Sequence, residues 1–542
     1  MSRRGPFRRA WSCFGRVAAR RAWVALGLAV ATFIGCIVVD LARGGDPNPE
    51  IHDEYAYLLA GDTFAHGKLT NPPHELWRSF ETFHVLQRPT YQAKYPPAQG
   101  LFLALGEVLT GRPIVGVWIS DALLVGCLCW MLQGWIPARW AAIGAVIGGG
   151  LMVFGGAPLA GGVVGYWSQS YWGGAVAAWG GVLLLGGLRR ALERLRWGDA
   201  AAMGLGVCVL ALSRPFEGLV LALPCAAVFA GWLVRRGSVP HREKVLRAVI
   251  PAGVVVLLGL GWLGLYNARV TGSPWRMPYM AYREQYQILP IWRWQEVREE
   301  PAGLNEQMKA YAHWELAAGL EQRKLPRRLL DMFRVLSFEV GPALGAVSLL
   351  ALPWTLRRRW MIFAGAAWGL VWVGMWAGSY IEVHYHAPAA GLSVLLGTAA
   401  LRRVAYWRVG QRRVGAALAA GLVVLTLGVQ VRRWVQYAET PERYLEHWAG
   451  VRREVEDSLV RMGGKHVVLV RYGPEHRPDF ELVYNGADVD GSPVVWARSL
   501  GPEQDARVVS YYSGRAAWVL AVDSDRAAPI MRPWPTPEKP GS

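Results

Sequence analysis

Apolar runs of membrane-spanning length recur along this sequence as far as residue 431, and that recurrence limits the possible folds more than any single motif does. The runs lie near 22–39, 114–136, 140–158, 174–188, 200–213, 216–234, 248–266, 340–356, 360–378, 387–401 and 414–431, about eleven in all. A helical crossing of a bilayer needs roughly 20 mostly apolar residues. Only 18% of the residues are charged while 53% are AVILMFWYC types, a balance suited to a chain solvated by lipid. The sequence therefore predicts a mainly α, polytopic membrane protein with about eleven transmembrane helices.

Lysine and arginine outnumber the acidic residues 58 to 40, a net charge of +18 that in a soluble chain would suggest nucleic acid. Here the basic residues gather in short connections: Arg189/Arg190/Arg194/Arg196, Arg235/Arg236/Arg242/Lys244, Arg357/Arg358/Arg359 and Arg402/Arg403/Arg408/Arg412/Arg413. Such clusters mark cytoplasmic loops facing anionic headgroups, so the expected partners include membrane lipids and no nucleic acid. The tail Met1–Arg21 carries seven arginines, which puts the N-terminus in the cytoplasm. Alternation across the runs then places all four clusters inside, and an odd number of spans leaves the C-terminus outside. All six cysteines lie in the tail or in apolar runs, so no disulfide framework or Cys-type metal spacing is expected. Phe33-Ile34-Gly35-Cys36 faintly resembles a lipoprotein cleavage site, but the apolar run continues to Val39 and favours an uncleaved first span.

Three regions follow: a basic cytoplasmic tail (1–21), a polytopic domain (22–437) with long outward loops at 43–112 and 267–339, and a small extracytoplasmic α/β domain (438–542). Within the first loop, YPPAQGLFLALGEVL is apolar but short and suits a helix at the membrane surface or partly embedded, started by Pro96 and Pro97. The last region reads as a polar helix (PERYLEHWAGVRREVEDSLVRM), a strand (HVVLVRY), a turn-rich stretch (YNGADVDGSPVVWARSL), a second helix (PEQDARVVSYY) and a strand (AAWVLAV).

The chemically capable residues collect on the outward side. Glu50, His52, Asp53 and Glu54 follow the first span. Carboxylates at a lipid–water boundary are more basic than in water, which suits a general base; the alternative is an N-terminal helix turn, where Asp and Glu are also favoured. A metal site in this cluster is a weaker option. Arg88, Lys94, Arg214 and Arg269 are outward cations. Arg214 stands at a span end directly before Pro215, and either snorkels to lipid phosphate or meets an anionic substrate headgroup bidentately. Glu382, His384, Tyr385 and His386 open a late span, as phosphate or metal contacts or as an interfacial belt. Tyr166, Trp167, Tyr171 and Trp172 read as interfacial aromatics or a stacking platform for sugar or lipid. Asp121, inside a span, is either functional or an interhelical hydrogen-bonding residue.

Asp53-Glu54 after a first span, the continuation YLLAGDTFAHGKLTNP, the segment Lys94-Tyr95-Pro96-Pro97, Arg214-Pro215 and His384-Tyr385 together resemble the GT-C superfamily of membrane glycosyltransferases. The likeness spans roughly residues 20–400 and is strongest to the branch of protein O-mannosyltransferases and lipid A aminoarabinose transferases, and within it to bacterial members. Lys94-Tyr95-Pro96-Pro97 departs from that branch's Lys-Pro-Pro segment by one inserted residue. The resemblance implies a multi-pass protein of the bacterial inner membrane that takes a sugar from a polyprenyl-phosphate donor. The acceptor would be a protein, lipid or glycan on the outer face. It implies Asp53 as base, Glu54 orienting the acceptor or sharing charge, and Lys94, Arg214, Arg269, His384 and His386 at the donor phosphate. No cofactor is required by this scheme; a divalent metal is compatible with it. A phosphate leaving group needs a cation rather than a carboxylic acid, and one carboxylate then suffices to deprotonate the acceptor, with inversion. The rival readings are a transporter or flippase of a lipid-linked or polymeric substrate, which would favour midplane charge and inverted repeats, and a non-enzymatic membrane scaffold.

Overall fold

In a computed structural model, residues 6–49, 51–156, 165–237, 239–439, 447–524 and 529–534 are described; Glu50 lies outside them. The chain is a helical bundle carrying a small sheet unit formed by its C-terminal part. Among the described residues seven helices are long and apolar enough to cross a membrane: Arg21–Arg43, Pro113–Trp135, Gly174–Arg194, Pro215–Val234, His241–Thr271, Arg359–Ala377 and Val414–Gln436. An eighth crossing is counted if Leu325–Val340 and Pro342–Leu350 form one span, broken by a bend of 104°. The bend falls at Gly341, whose φ of 81° lies in the left-handed region that favours glycine, with Pro342 opening the second half.

The expected spans near 140–158, 200–213 and 387–401 are shorter helices, Ala138–Phe154, Trp197–Ser213 and Ala390–Ala405. Most of the first and last is buried against other helices, so their ends meet protein rather than headgroups and need not match the full bilayer thickness. Small residues allow the close packing. A Cβ added at Gly206 would lie 2.4 Å from the backbone nitrogen of Leu184, and one at Gly116 would lie 1.7 Å from the carbonyl oxygen of Phe102. These helices meet backbone to backbone, as in membrane bundles generally.

Helix direction sorts the charges. Gly174–Arg194 and Ala390–Ala405 both run from the end carrying Asp53 and finish in arginines, whereas Arg359–Ala377 starts in them. The short helix Ala98–Thr110 packs against His52–Ala65 and leaves Leu101, Leu105, Val108 and Leu109 exposed along one face. That apolar stripe suits a helix partly embedded in lipid.

The C-terminal unit holds a four-stranded sheet, β3 (His466–Glu475), β4 (Val494–Arg498), β5 (Ala516–Ser524) and β6 (Ile530–Pro533), after β1 (Val85–Leu86) and β2 (Gln92–Ala93) of the first loop. Its order is β4-β3-β5-β6; β3 is parallel to β4 and β5, and β6 is antiparallel to β5. The stretch read as turn-rich contains β4. All five of its residues are buried, so it lacks the apolar–polar alternation of a half-exposed strand. The sheet rests on the first loop: Val467, Leu469 and Val495 share an apolar core with Ala56, Tyr57 and Tyr95. Arg498 Nη2 donates to Glu81 O (2.9 Å) and Ala487 N donates to Asp62 Oδ2 (2.6 Å).

Candidate active site

The helix His52–Ala65 starts with its acidic pair in the first turn, where exposed N–H groups and the helix dipole favour negative charge. Glu54 completes that start. Its Oε1 accepts from Ile51 N (3.2 Å), and its Oε2 accepts from Tyr171 N (2.8 Å), 117 residues away. Both oxygens thus hold backbone in place. Asp53 is differently placed. Tyr95 donates its hydroxyl to Oδ1, while Oδ2 lies 3.3 Å from His52 Nε2 and 3.6 Å from His84 Nε2.

The imidazoles of His52 and His84 are 4.7 Å apart between centroids, and Tyr311 Oη lies 3.0 Å and 3.2 Å from their Nε2 atoms. His84 has φ 64°, a conformation that costs a non-glycine residue energy and is met most often at functional sites. Tyr282 Oη accepts from its backbone N–H at 2.9 Å and helps to hold it. Burial lowers the pKa of His52 and holds that of His84 well below the ordinary value, which favours the neutral rings that can ligate. One atom each of His52, Asp53 and His84 lie within 4.8 Å of one another. Two neutral nitrogens and a carboxylate oxygen fit a divalent cation of the zinc type.

Two cations stand beside this cluster. Lys94 is 4% exposed, and its Nζ sits 4.9 Å from the Tyr282 ring centroid and 5.2 Å from those of Tyr95 and Tyr279. Among the described residues no carboxylate lies within ion-pair distance of it. Burial lowers the ammonium's pKa; Glu315 and Asp53 pull it back up, and Arg214 pushes it down. Arg214 occupies the break between Trp197–Ser213 and Pro215–Val234, where Pro215 supplies the first helical residue. Its guanidinium lies 4.7 Å from the Tyr385 ring centroid and also makes no ion pair with a described residue. A caged ammonium and an unpaired guanidinium near one carboxylate can receive an anionic group.

His384 belongs to the same neighbourhood, with its Nδ1 3.4 Å from Tyr166 Oη and its ring 4.6 Å from Trp172. Burial and then the charge of Arg214 hold its pKa well below the ordinary value. His386 points elsewhere: fully buried, it stacks on Trp372 and places Nδ1 2.8 Å from Glu339 Oε1. Arg269 is exposed in the last turn of Ile250–Thr271 and makes no hydrogen bond or ion pair with a described residue. Arg88 lies over the Trp77 ring at 4.7 Å. Asp121 is fully buried, and neither of its oxygens has a hydrogen-bond partner. Trp167, Tyr171 and Trp172 are buried rather than displayed at the surface.

Sequence reasoning missed His84, Tyr311 and Glu315. Gln287 donates to Glu315 Oε1 at 2.9 Å, while Oε2 has no partner. The C-terminal unit also reaches the site. Asp479 raises the His52 pKa through its charge and a backbone hydrogen bond, and Gln307 Nε2 donates to Pro478 O at 3.2 Å.

No protein-family model matches the sequence, and no curated protein matches it either. Solved structures do. The crystal structure of ArnT from Cupriavidus metallidurans in the apo state matches with TM-score 0.50 and 14% identity, over 91% of this chain and 92% of that one. The Archaeoglobus fulgidus oligosaccharyltransferase in complex with Zn and sulfate matches with TM-score 0.50 and 11% identity, over 92% of this chain and 67% of that one. The same archaeal enzyme tethered to an acceptor peptide containing an NVT sequon gives TM-score 0.51 and 11% identity, over 92% and 69%. At such identities the likeness shows the fold alone, which this chain shares with ArnT and the archaeal oligosaccharyltransferase.

Proposed function

We propose that this GT-C fold carries an inverting glycosyltransferase, which moves a sugar from a polyprenyl-phosphate donor to an acceptor on the outer face of a bacterial inner membrane. The arginine-rich helix ends support a cytoplasmic placement of that side by the positive-inside rule, and with it an outward-facing Asp53. The observation that carries the reading is the Asp53 carboxylate beside two cations that form no ion pair with a described acid. Asp53 takes the proton from the acceptor nucleophile. The nucleophile's electron pair forms the new bond to the anomeric carbon, and the bond from that carbon to the phosphate oxygen breaks. Its electron pair leaves with the polyprenyl phosphate, whose growing charge Lys94 and Arg214 stabilise. A single displacement inverts the anomeric centre.

Glu54 acts at one remove, by fixing the turn that presents Asp53. His384 lines the Arg214 side, whereas Arg269 and His386 stay outside the scheme. His52, Asp53 and His84 would hold a divalent cation, as the archaeal relative was crystallised with Zn; bound there, it supplies further positive charge for the phosphate. The acceptor class stays open to protein, lipid or glycan.

The test is release of polyprenyl phosphate from a lipid-linked sugar by the reconstituted protein. Asp53→Asn is expected to lower turnover by roughly 10²–10⁴-fold, the usual worth of a general base, at unchanged protein abundance. Wild-type turnover in that variant would remove Asp53 as the base.

A further inference from the structure

A second group of cations lies away from the Asp53 cluster, at the corner Trp376–Ser379 that closes the helix Arg359–Ala377. Three arginines converge on it: Arg293 from a loop, Arg323 from the turn after the helix Glu306–Gln322, and Arg328 from the helix Leu325–Val340. Arg328, fully buried, donates from Nη1 to Trp376 O (3.2 Å) and from Nη2 to Gly378 O and Ser379 O (3.3 Å to the latter). Arg323 Nη2 donates to Ser379 Oγ at 2.9 Å. Arg293 donates its backbone N–H to Ala377 O (3.1 Å), and its guanidinium lies 5.5 Å from the centroid of the Trp376 ring, to which Arg328 comes within 5.3 Å.

Among the described residues no carboxylate pairs with any of the three. Asp331, whose charge acts on Arg328, is taken by Arg327 (3.2 Å) and Arg334 (2.7 Å). The Nε atoms of Arg323 and Arg328 are buried without a hydrogen-bond partner. Burial and then the neighbouring charge of Arg293 push the pKa of Arg323 down. Like charges held together with unused donors cost free energy until an anion arrives.

The location narrows the anion. Arg359–Ala377 has 19 residues, and at 1.5 Å per residue it spans about 29 Å, close to the thickness of a hydrocarbon core. With Arg357–Arg359 at one headgroup level, residues 376–379 sit at the other. The helix Leu325–Val340 flanks the corner and is inverted for a protein in water. Arg328 and Asp331 are buried, while Leu325, Leu329 and Phe333 are 58%, 55% and 47% exposed along one face. Trp294, beside Arg293, is 71% exposed. Such a face lies against acyl chains, which brings lipid phosphates level with the arginines.

We propose that Arg293, Arg323 and Arg328 form a binding site for the phosphate of an anionic lipid headgroup in the leaflet that the Asp53 end faces. The site is separate from the donor cations, and its occupancy does not depend on the sugar-transfer reading.

The experiment uses the full chain in detergent and follows its melting temperature against short-chain phosphatidylglycerol, short-chain phosphatidylcholine and inorganic phosphate. Saturable stabilisation by phosphatidylglycerol alone is expected. Arg293→Gln, whose guanidinium contacts only an indole face, should weaken the apparent affinity by about tenfold, the scale of one charge-assisted contact. Arg293→Gln with Arg323→Gln should abolish saturation, while Arg293→Lys should retain most of it. Equal responses to the two lipids, or an unchanged phosphatidylglycerol curve in Arg293→Gln, would overturn the site. An equal response to inorganic phosphate would overturn the lipid as its source.

Discussion

Tyr55 of the His52–Ala65 helix stacks on Tyr484 of the C-terminal unit, with ring centroids 4.4 Å apart and planes 8° from parallel. One residue separates Tyr55 from Asp53, so this contact fixes the sheet unit against the turn that presents the candidate base. Arg452 joins it, with its guanidinium 5.3 Å from the Tyr55 ring and hydrogen bonds to Leu482 O and Tyr484 O.

Tyr484→Ala is therefore expected to lower both stability and turnover. Losing the stack costs about 0.5–1.5 kcal/mol beyond the lost buried area, and a thermal melt in detergent reads it. Tyr484→Phe keeps the ring pair and should melt within a degree or two of the parent. A turnover loss in Tyr484→Ala without a melting change would separate the Tyr55–Tyr484 stack from fold stability and tie it to substrate alone.

Lys94→Met removes the ammonium while keeping a long side chain inside the tyrosine cage. Turnover should fall by about 10²–10³-fold, the worth of one preorganised contact to developing charge, at nearly unchanged melting temperature. Arg269→Ala, by contrast, should leave turnover within twofold, since this side chain is exposed and unconnected. Comparable losses in both variants would count against a caged phosphate contact.

Chelation tests the donor set formed by His52, Asp53 and His84. Treatment with EDTA should lower turnover, and added Zn²⁺ or Mn²⁺ should restore it. His84→Ala should bind the cation at least tenfold more weakly in an equilibrium titration, because one of three protein ligands is gone. Full activity after exhaustive chelation, with no metal retained by elemental analysis, would leave the cluster a hydrogen-bonded triad around Tyr311.

Glu382 gives a pH dependence with a definite sign. Burial pushes its pKa from 4.5 up to about 7, against a hydrogen bond from Gln322 Nε2 to its Oε1 at 2.9 Å. The folded state then holds a proton that the unfolded chain releases near its ordinary value. The resulting contribution is complete below about 4.5 and lost as pH rises towards 7. Glu382→Gln should flatten that part of the stability profile, measured as melting temperature between pH 4.5 and 8. An unchanged slope in the variant would assign the dependence to another group.

How far the sequence reaches is clearest at Arg214 and His84. Arg214 was legible because a cation before proline at a span end is costly without a reason, and it stands beside the site. His84 was not: it is a single histidine in a polar loop, brought to Asp53 by β1–β2 pairing and a left-handed backbone that no periodicity announces. Tyr311 and Glu315 come from the other long loop, and only tertiary packing makes them neighbours of Asp53. His384 and His386 show the opposite limit. Residues two apart on a short helix point in different directions, so one faces Tyr166 and the other Glu339. The mainly helical membrane fold, by contrast, was set by apolar run length alone, and only the shorter interior helices and the bend at Gly341 depart from that pattern.

The contacts from residues 478–487 also put the site on a biosynthetic clock. Pro478, Asp479, Tyr484, Asn485 and Ala487 reach Gln307, His52, Tyr55, Tyr91 and Asp62. Chain synthesis therefore has to reach residue 487 before Asp53 acquires all of these neighbours. Shorter chains carry the bundle and its cations but lack the contacts beside the acid, so the candidate site is completed after the helices rather than together with them.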